Sequence, residues 1–266
     1  MPTFGARRTS RARPPLRTCS DSDATVGSTR RAAAARSTTS PAGSCATAGQ
    51  RRWSAEPQLM ELDHVLIAVA DLDKAGQEIE VRHGLGSIEG GRHLAWGTAN
   101  RIIPLGDSYL ELIAMFDAAK AAESAVGRWV ASGVSKPDGP LGWAVRTTEL
   151  DNIAQRLHLE VHEGSRVSPV GEQLRWRTAG MDQAIAEPAL PFFIEWAPGT
   201  KLPGQTPIRH PAGLTRITGL VLDGNPRRVA EWLGPHRLSI VVRPGKSALR
   251  AVPISSEAGE IVLGAD

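Results

Sequence analysis

LDHVLIAVADLDKAGQEI (62–79) reads as an apolar strand, a turn and the start of an amphipathic helix. The same order returns in LGWAVRTTELDNIAQRL (141–157), where Glu149-Leu150-Asp151 repeats Asp71-Leu72-Asp73 at an offset of 78. Each copy closes on a strand that carries a carboxylate among apolar residues: Tyr109-Leu110-Glu111-Leu112-Ile113 in the first, Phe192-Phe193-Ile194-Glu195-Trp196 in the second. HLAW (93–96) and NRIIPL (100–105) lie between helix and closing strand in copy one, RVSPV (166–170) and QLRWRT (173–178) in copy two. Gly90-Gly91 and Gly106-Asp107 punctuate the first copy as turns. A third, looser copy runs from ITGLVLDGNPRRVAEWLG (217–234) to GEIVLG (259–264). A single unit would expose an apolar sheet face, whereas two together close a curved sheet into a cup with helices outside. The expected fold class is therefore α+β, with modules at 60–117 and 140–198 inside a domain of residues 60–200. A degenerate module follows at 212–266.

The 266 residues, 41% hydrophobic and 22% charged, suit one or two globular domains. The net charge of +3 is unevenly spread. Residues 1–59 hold ten Arg against Asp21, Asp23 and Glu56, a net of +7, which leaves −4 for residues 60–266. The basic character thus belongs to the N-terminal segment and gives no basic face for nucleic acid. That segment, rich in Arg, Ala, Ser and Thr, has too few apolar residues to offset its conformational entropy and is expected to be disordered. Its Arg- and Ser-rich, acid-poor composition resembles an organellar transit peptide, while the strand directly after Met60 fits a mis-assigned start. No apolar run reaches 18 residues, so no membrane-spanning helix is expected. Both cysteines, Cys19 and Cys45, precede Met60; the body has no thiolate for a zinc site, disulfide or nucleophile, and a cytoplasmic location is expected.

Strand alternation puts Glu111 on one face with Tyr109 and Ile113, and Glu195 on one face with Phe193 and Ala197, opposite Ile194 and Trp196. Both carboxylates are then expected to point into the cup, where an ionised group needs a cation or a hydrogen-bond network. His64 on the first strand is expected there too, and imidazole with carboxylates suits a divalent ion. The competing expectation is an Arg partner, with Arg101, Arg146, Arg175 and Arg177 nearby in the repeat plan. His158, His162, His210 and His236 have no partners at ligand spacing and are expected to be surface or structural residues.

The pattern HxxxGTxN in His93–Asn100, followed by YLEL (109–112) and PFFIEW (191–196), resembles the glyoxalase-like branch of the vicinal oxygen chelate superfamily. The resemblance covers residues 60–200 well and 212–266 loosely. It implies paired βαβββ modules forming a cup, with metal ligands from the first and last strands of each module. His64, Glu111 and Glu195 take those places by this logic, whereas Gly142, at the opening position of module two, cannot ligate. A His–Glu–Glu site for Zn, Ni, Mn or Fe is the expectation, with Glu111 or Glu195 as general base. His93 and Asn100 are expected to contact substrate or water, and Trp143, Trp176 and Arg175 to line the second half of the cup.

Three readings follow. The first is a metal-assisted isomerase or lyase acting on a small oxygenated molecule. The second is a non-catalytic binding or sequestering protein whose aromatic side chains stack on a planar compound. In the third, an odd module leaves a sheet edge that pairs with another chain, as in a homodimer.

Overall fold

The structure, a computed structural model, describes residues 60–134, 139–168 and 171–264. The expectations of disorder in residues 1–59 and of a start at Met60 fall on residues outside that range.

The first module comprises β1 (Met60–Ala68), α1 (Leu72–His83), β2 (Ile88–His93), β3 (Thr98–Leu105) and β4 (Ser108–Met115). Asp71 caps α1 by accepting from the Lys74 amide, and Gly84, at φ 66°, ends the helix in the left-handed region that favours glycine. Helices α2 (Ala118–Glu123) and α3 (Ala125–Val134) lead to the second module. That module comprises β5 (Gly142–Thr147), α4 (Leu150–Leu157), β6 (Val161–Val167), β7 (Gln173–Ala179), α5 (Met181–Ala186) and β8 (Phe192–Trp196).

These strands form one curved eight-stranded sheet in the order β2-β3-β4-β1-β5-β8-β7-β6. Within each module the opening strand lies parallel to the closing one, β1 to β4 and β5 to β8. Antiparallel pairing of β1 with β5 joins the modules, with His64 opposite Ala144. The two outer edges curl toward each other. A Cβ built on Gly91 of β2 would lie 3.0 Å from the Arg166 guanidinium of β6.

One face of the sheet carries the main core. Val65, Leu110, Leu112, Trp143, Val145 and Phe193 pack there with Leu150 and Ile153 of α4. Not all helices lie on that side. Val126, Trp129 and Val130 of α3 form an i, i+3, i+4 stripe, and it packs on the cup face with Leu66, Ala68, Ile113, Ala144, Phe192 and Ile194. Ala184 of α5 joins this packing, so two helices partly roof the cup.

The C-terminal segment holds β9 (Thr215–Ile217), β10 (Leu220–Gly224), α6 (Pro226–Leu233), β11 (Ile240–Pro244), β12 (Ala248–Ser256) and β13 (Gly259–Gly264). Its sheet runs β11-β10-β12-β13, with β9 beside β12. The element order β-α-β-β-β from β10 onward matches the two cup modules, but the pairing differs. After α6 the chain returns parallel and adjacent to its opening strand, β11 on β10, instead of bringing the last strand there. This copy therefore builds no third half-cup. Its Leu222, Val229, Trp232, Val252 and Ile254 bury against the main core.

Gly142 is not an open position. A Cβ there would sit 2.6 Å from the Trp129 indole, which occupies the space a side chain would need. Gly142→Ala should therefore lower unfolding stability by about 1–3 kcal/mol through overpacking. Urea titration should show the loss, and it should shrink in a Trp129→Leu background.

Candidate functional site

The cup forms a small, partly open hollow of about 50 Å3 whose polar groups come mainly from module one: His64, His93, Asn100, Tyr109 and Glu111, with Arg166 from β6. His64 and Glu111 share the cup face because β1 and β4 run parallel, with His64 beside Tyr109 and Leu66 beside Glu111 in register. The adjacent Asp63 turns to the same side for another reason. The β1–β5 register slips between Leu62 and His64, and the extra residue of this bulge is Asp63.

Asp63 is almost fully buried and held from three directions. Its Oδ1 lies 2.7 Å from His64 Nδ1, its Oδ2 accepts from Trp196 Nε1 at 2.9 Å, and Arg146 Nη1 is 3.4 Å from the same oxygen. A carboxylate on Nδ1 takes the Nδ1–H of the ring and leaves Nε2 facing the hollow. His64 Nε2 stands 3.4 Å from Glu111 Oε2. The ring is sandwiched, stacked on Tyr109 at 4.7 Å between centroids and edge-on to Phe192 at 5.5 Å. Glu111 is buried, and its other oxygen accepts from Asn100 Nδ2 at 2.7 Å. Asn100 Oδ1 in turn accepts from the Gly91 amide at 2.6 Å. Gly90 makes room for this arrangement, since a Cβ there would collide with the Asn100 amide.

His93 lies within reach of Thr98 Oγ1 at 3.2 Å and tilts against Trp96. Burial pushes its pKa below the usual imidazole value, and Glu111 acts in the opposite direction. Burial, followed by the charges of Asp63 and Glu111, holds the Tyr109 hydroxyl well above its ordinary value. The apolar walls are Trp96, Trp129, Trp176, Phe192, Ile194 and Trp196.

A family model described as a glyoxalase-like domain matches residues 62–238, well over half of the chain. The chain belongs to this glyoxalase-like family. A hypothetical protein from Staphylococcus aureus shares the fold, with a TM-score of 0.59 and 18% identity over 74% of this chain and 92% of that one. Methylmalonyl-CoA epimerase from Mycobacterium tuberculosis is a fainter likeness, at 22% identity and TM-score 0.38 over 53% of this chain and 89% of that one. A Streptomyces coelicolor methylmalonyl-CoA epimerase variant in complex with 2-nitronate-propionyl-CoA aligns at 20% identity and TM-score 0.39, over 55% and 99% of the two chains. The search of curated proteins returns no match.

Within the glyoxalase-like fold, the two modules provide equivalent positions, and register identifies them. Tyr109 of β4 lies beside His64 of β1, as Phe192 of β8 lies beside Ala144 of β5. The counterpart of His64 is thus Ala144, and that of Glu111 is Ile194. Both belong to an apolar cluster with Leu66 and Phe192. An ion with ligands from both modules does not fit this donor set. Among the described residues, no group of three or more His, Cys, Asp or Glu side chains is placed to hold a metal.

The expectation for Glu195 needs correction. Even-numbered residues of β8 face the cup, and Glu195 lies on the opposite face with Phe193. There Arg177 binds it, through Nε at 2.9 Å and through Nη2, while also reaching Asp151 of α4 at 2.9 and 3.1 Å. The Arg-partner alternative is the one that applies to this glutamate. Arg175 shares that outer face, in a groove with Gln173, Arg177 and Glu195. Trp143 is fully buried in the main core and lines no part of the cup; its indole N–H has no partner among the described residues. Trp176 lines the cup. Asp63, Arg166 and Trp196 were not anticipated as cup residues. Only the bulge, the sheet closure and the true β8 register reveal them.

These placements separate the two glutamates experimentally. Glu195→Gln weakens a partly exposed ion pair and should change stability by at most about 1 kcal/mol. Asn100→Ala leaves a buried Glu111 oxygen and the Gly91 amide unpaired, and should cost about 1–3 kcal/mol or more. Urea unfolding of both variants checks the contrast.

Proposed function

We propose that this chain is an enzyme that moves a proton at a carbon beside a carbonyl in a small oxygenated molecule, with His64 and Glu111 as its acid–base pair. The reaction class is isomerase or lyase. The Asp63–His64–Glu111 line supports the reading, because an imidazole fixed at Nδ1 presents Nε2 to the hollow within 3.4 Å of a buried carboxylate. Such a pair can take a proton from one side of a carbon and return one from another. As the C–H bond breaks, its electron pair moves onto the carbonyl oxygen as an enolate, and the proton goes to His64 Nε2 or Glu111 Oε2. Asp63 is a positioning residue that fixes the ring; Asn100 holds Glu111 so that only one of its oxygens is free to react. The Arg166 guanidinium, on the same hollow, favours the negative charge on the substrate. We place the reaction in the cytoplasm, which the lack of cysteine in residues 60–266 supports.

Two other readings remain distinct in outcome. Assistance by a divalent ion would rest on two donors, His64 Nε2 and Glu111 Oε2, a poor set for Zn, Ni, Mn or Fe. A non-catalytic binder is favoured by the aromatic walls, Trp96, Trp129, Trp176 and Trp196, which suit a flat ligand.

The test is deuterium exchange at the α-carbon. The full chain is incubated in D2O with a panel of 2-hydroxy ketones, 2-oxo acids and α-substituted thioesters, and the loss of the Cα–H proton signal is followed. At least one compound should exchange, and His64→Ala or Glu111→Gln should slow it about 100-fold or more. Chelator-treated protein should keep the exchange rate. Recovery of exchange only with stoichiometric added metal would favour the ion-assisted reading. A compound that binds tightly and returns unchanged, with no exchange across the panel, would favour the binder.

A further inference from the structure

Among the described residues that line the cup, Arg166 is the one guanidinium. It stands on β6, only 9% exposed, and crosses the seam where the sheet edges meet, so that its guanidinium abuts Gly91 and lines the hollow with His93, Asn100 and Glu111. Its charge is felt across the site: it opposes protonation of His93 and eases ionisation of Tyr109. Among the described residues it enters no hydrogen bond through its side chain and no ion pair.

The cup carboxylates are already engaged. Asp63 is held by His64, Trp196 and Arg146, and Glu111 by Asn100 and His64. A guanidinium keeps its charge at every working pH, so one turned into a largely enclosed hollow favours an anionic partner there. Its planar fork of N–H donors matches a carboxylate in bidentate fashion. Around it stand the flat faces of Trp96, Trp176, Phe192 and Trp196.

The geometry points to a ligand that carries a carboxylate on a flat apolar body, with Arg166 binding the carboxylate and the aromatic walls enclosing the rest. That this ligand is also the substrate, with its carbonyl-bearing carbon presented to His64 and Glu111, rests on the proton-transfer reading above. The carboxylate class itself does not.

The experiment compares benzoylformate with its methyl ester, which share a flat body and differ in charge, by titration calorimetry on the full chain. Wild type should bind the acid about tenfold tighter than the ester or better, as a charge-assisted bond implies. Arg166→Met should erase that preference by weakening the acid and leaving the ester unchanged, and Arg166→Lys should retain part of it. Because Arg166→Met removes a charge that has no partner among the described residues, its melting temperature should equal or exceed that of wild type. Equal binding of acid and ester, binding of neither, or a variant that melts lower and loses the ester as well would each overturn the assignment.

Glu111→Gln separates the two proposals, since it should keep the preference for the acid while losing deuterium exchange. A preference for the acid without exchange in any panel compound leaves the carboxylate site standing and removes the enzymatic reading. Exchange confined to neutral compounds and untouched by Arg166→Met does the reverse.

Discussion

The seam between β1 and β5 carries the site. Antiparallel pairing there makes one sheet from two modules and sets His64 opposite Ala144. The bulge at Asp63 lies in this seam. A regular strand would send Asp63 and His64 to opposite faces. The extra residue instead delivers both to the cup, where Asp63 sits under the imidazole and fixes its tautomer. Without that slip, Asp63 would be driven into the core with Leu62 and Val65 as an unpaired charge, and His64 would lose its orienting partner. The bulge thus satisfies a folding constraint and a chemical one together.

The duplication is symmetric in backbone and asymmetric in chemistry. At the four equivalent strand positions, module one places His64 and Glu111, while module two places Ala144 and Ile194. The space that polar side chains would have needed in module two is filled from α3 by Trp129, which lies over Gly142. One half of the cup is therefore a hydrogen-bonded network and the other half an apolar wall. Arg166 is the exception, a charge that module two sends across the closing seam. Such a division suits a ligand with one polar end and one apolar side, and it leaves a metal ion short of donors.

Legibility varied from strand to strand for physical reasons. In β4, Leu110 and Leu112 flank Glu111, and this one charged residue faces the hollow as alternation suggests. In β8 every residue except Glu195 is apolar, because both faces of this strand are covered, by Phe193 toward the main core and by Ile194 toward α3 and α5. Alternation then has nothing to report, and the choice of face for Glu195 rested on analogy with Glu111. The partner that decided it, Arg177, was visible as a nearby cation, but its second contact to Asp151 depends on how α4 docks. Trp143 was misplaced by the same ambiguity, since β5 is also buried on both faces.

The C-terminal segment shows the same limit at the level of topology. Its order of elements repeats that of the modules, yet β11 pairs beside β10, and no local pattern distinguishes that register from the other. From the sequence alone came the duplication, the α+β class, the family likeness and the grouping of His64, His93, Asn100 and Glu111. The duplication and the class depend on repeats, turns and period-two alternation, which are local, whereas the placing of His93 and Asn100 rested on the motif that carries the family likeness. Tertiary structure decided which face of a doubly buried strand meets the cup, the slip that turns Asp63 inward, and the closure that brings Arg166 to the site. Each of these is set by partners distant in the chain or by a register shift, and a register is an energy difference between whole strands, not a property of any one residue.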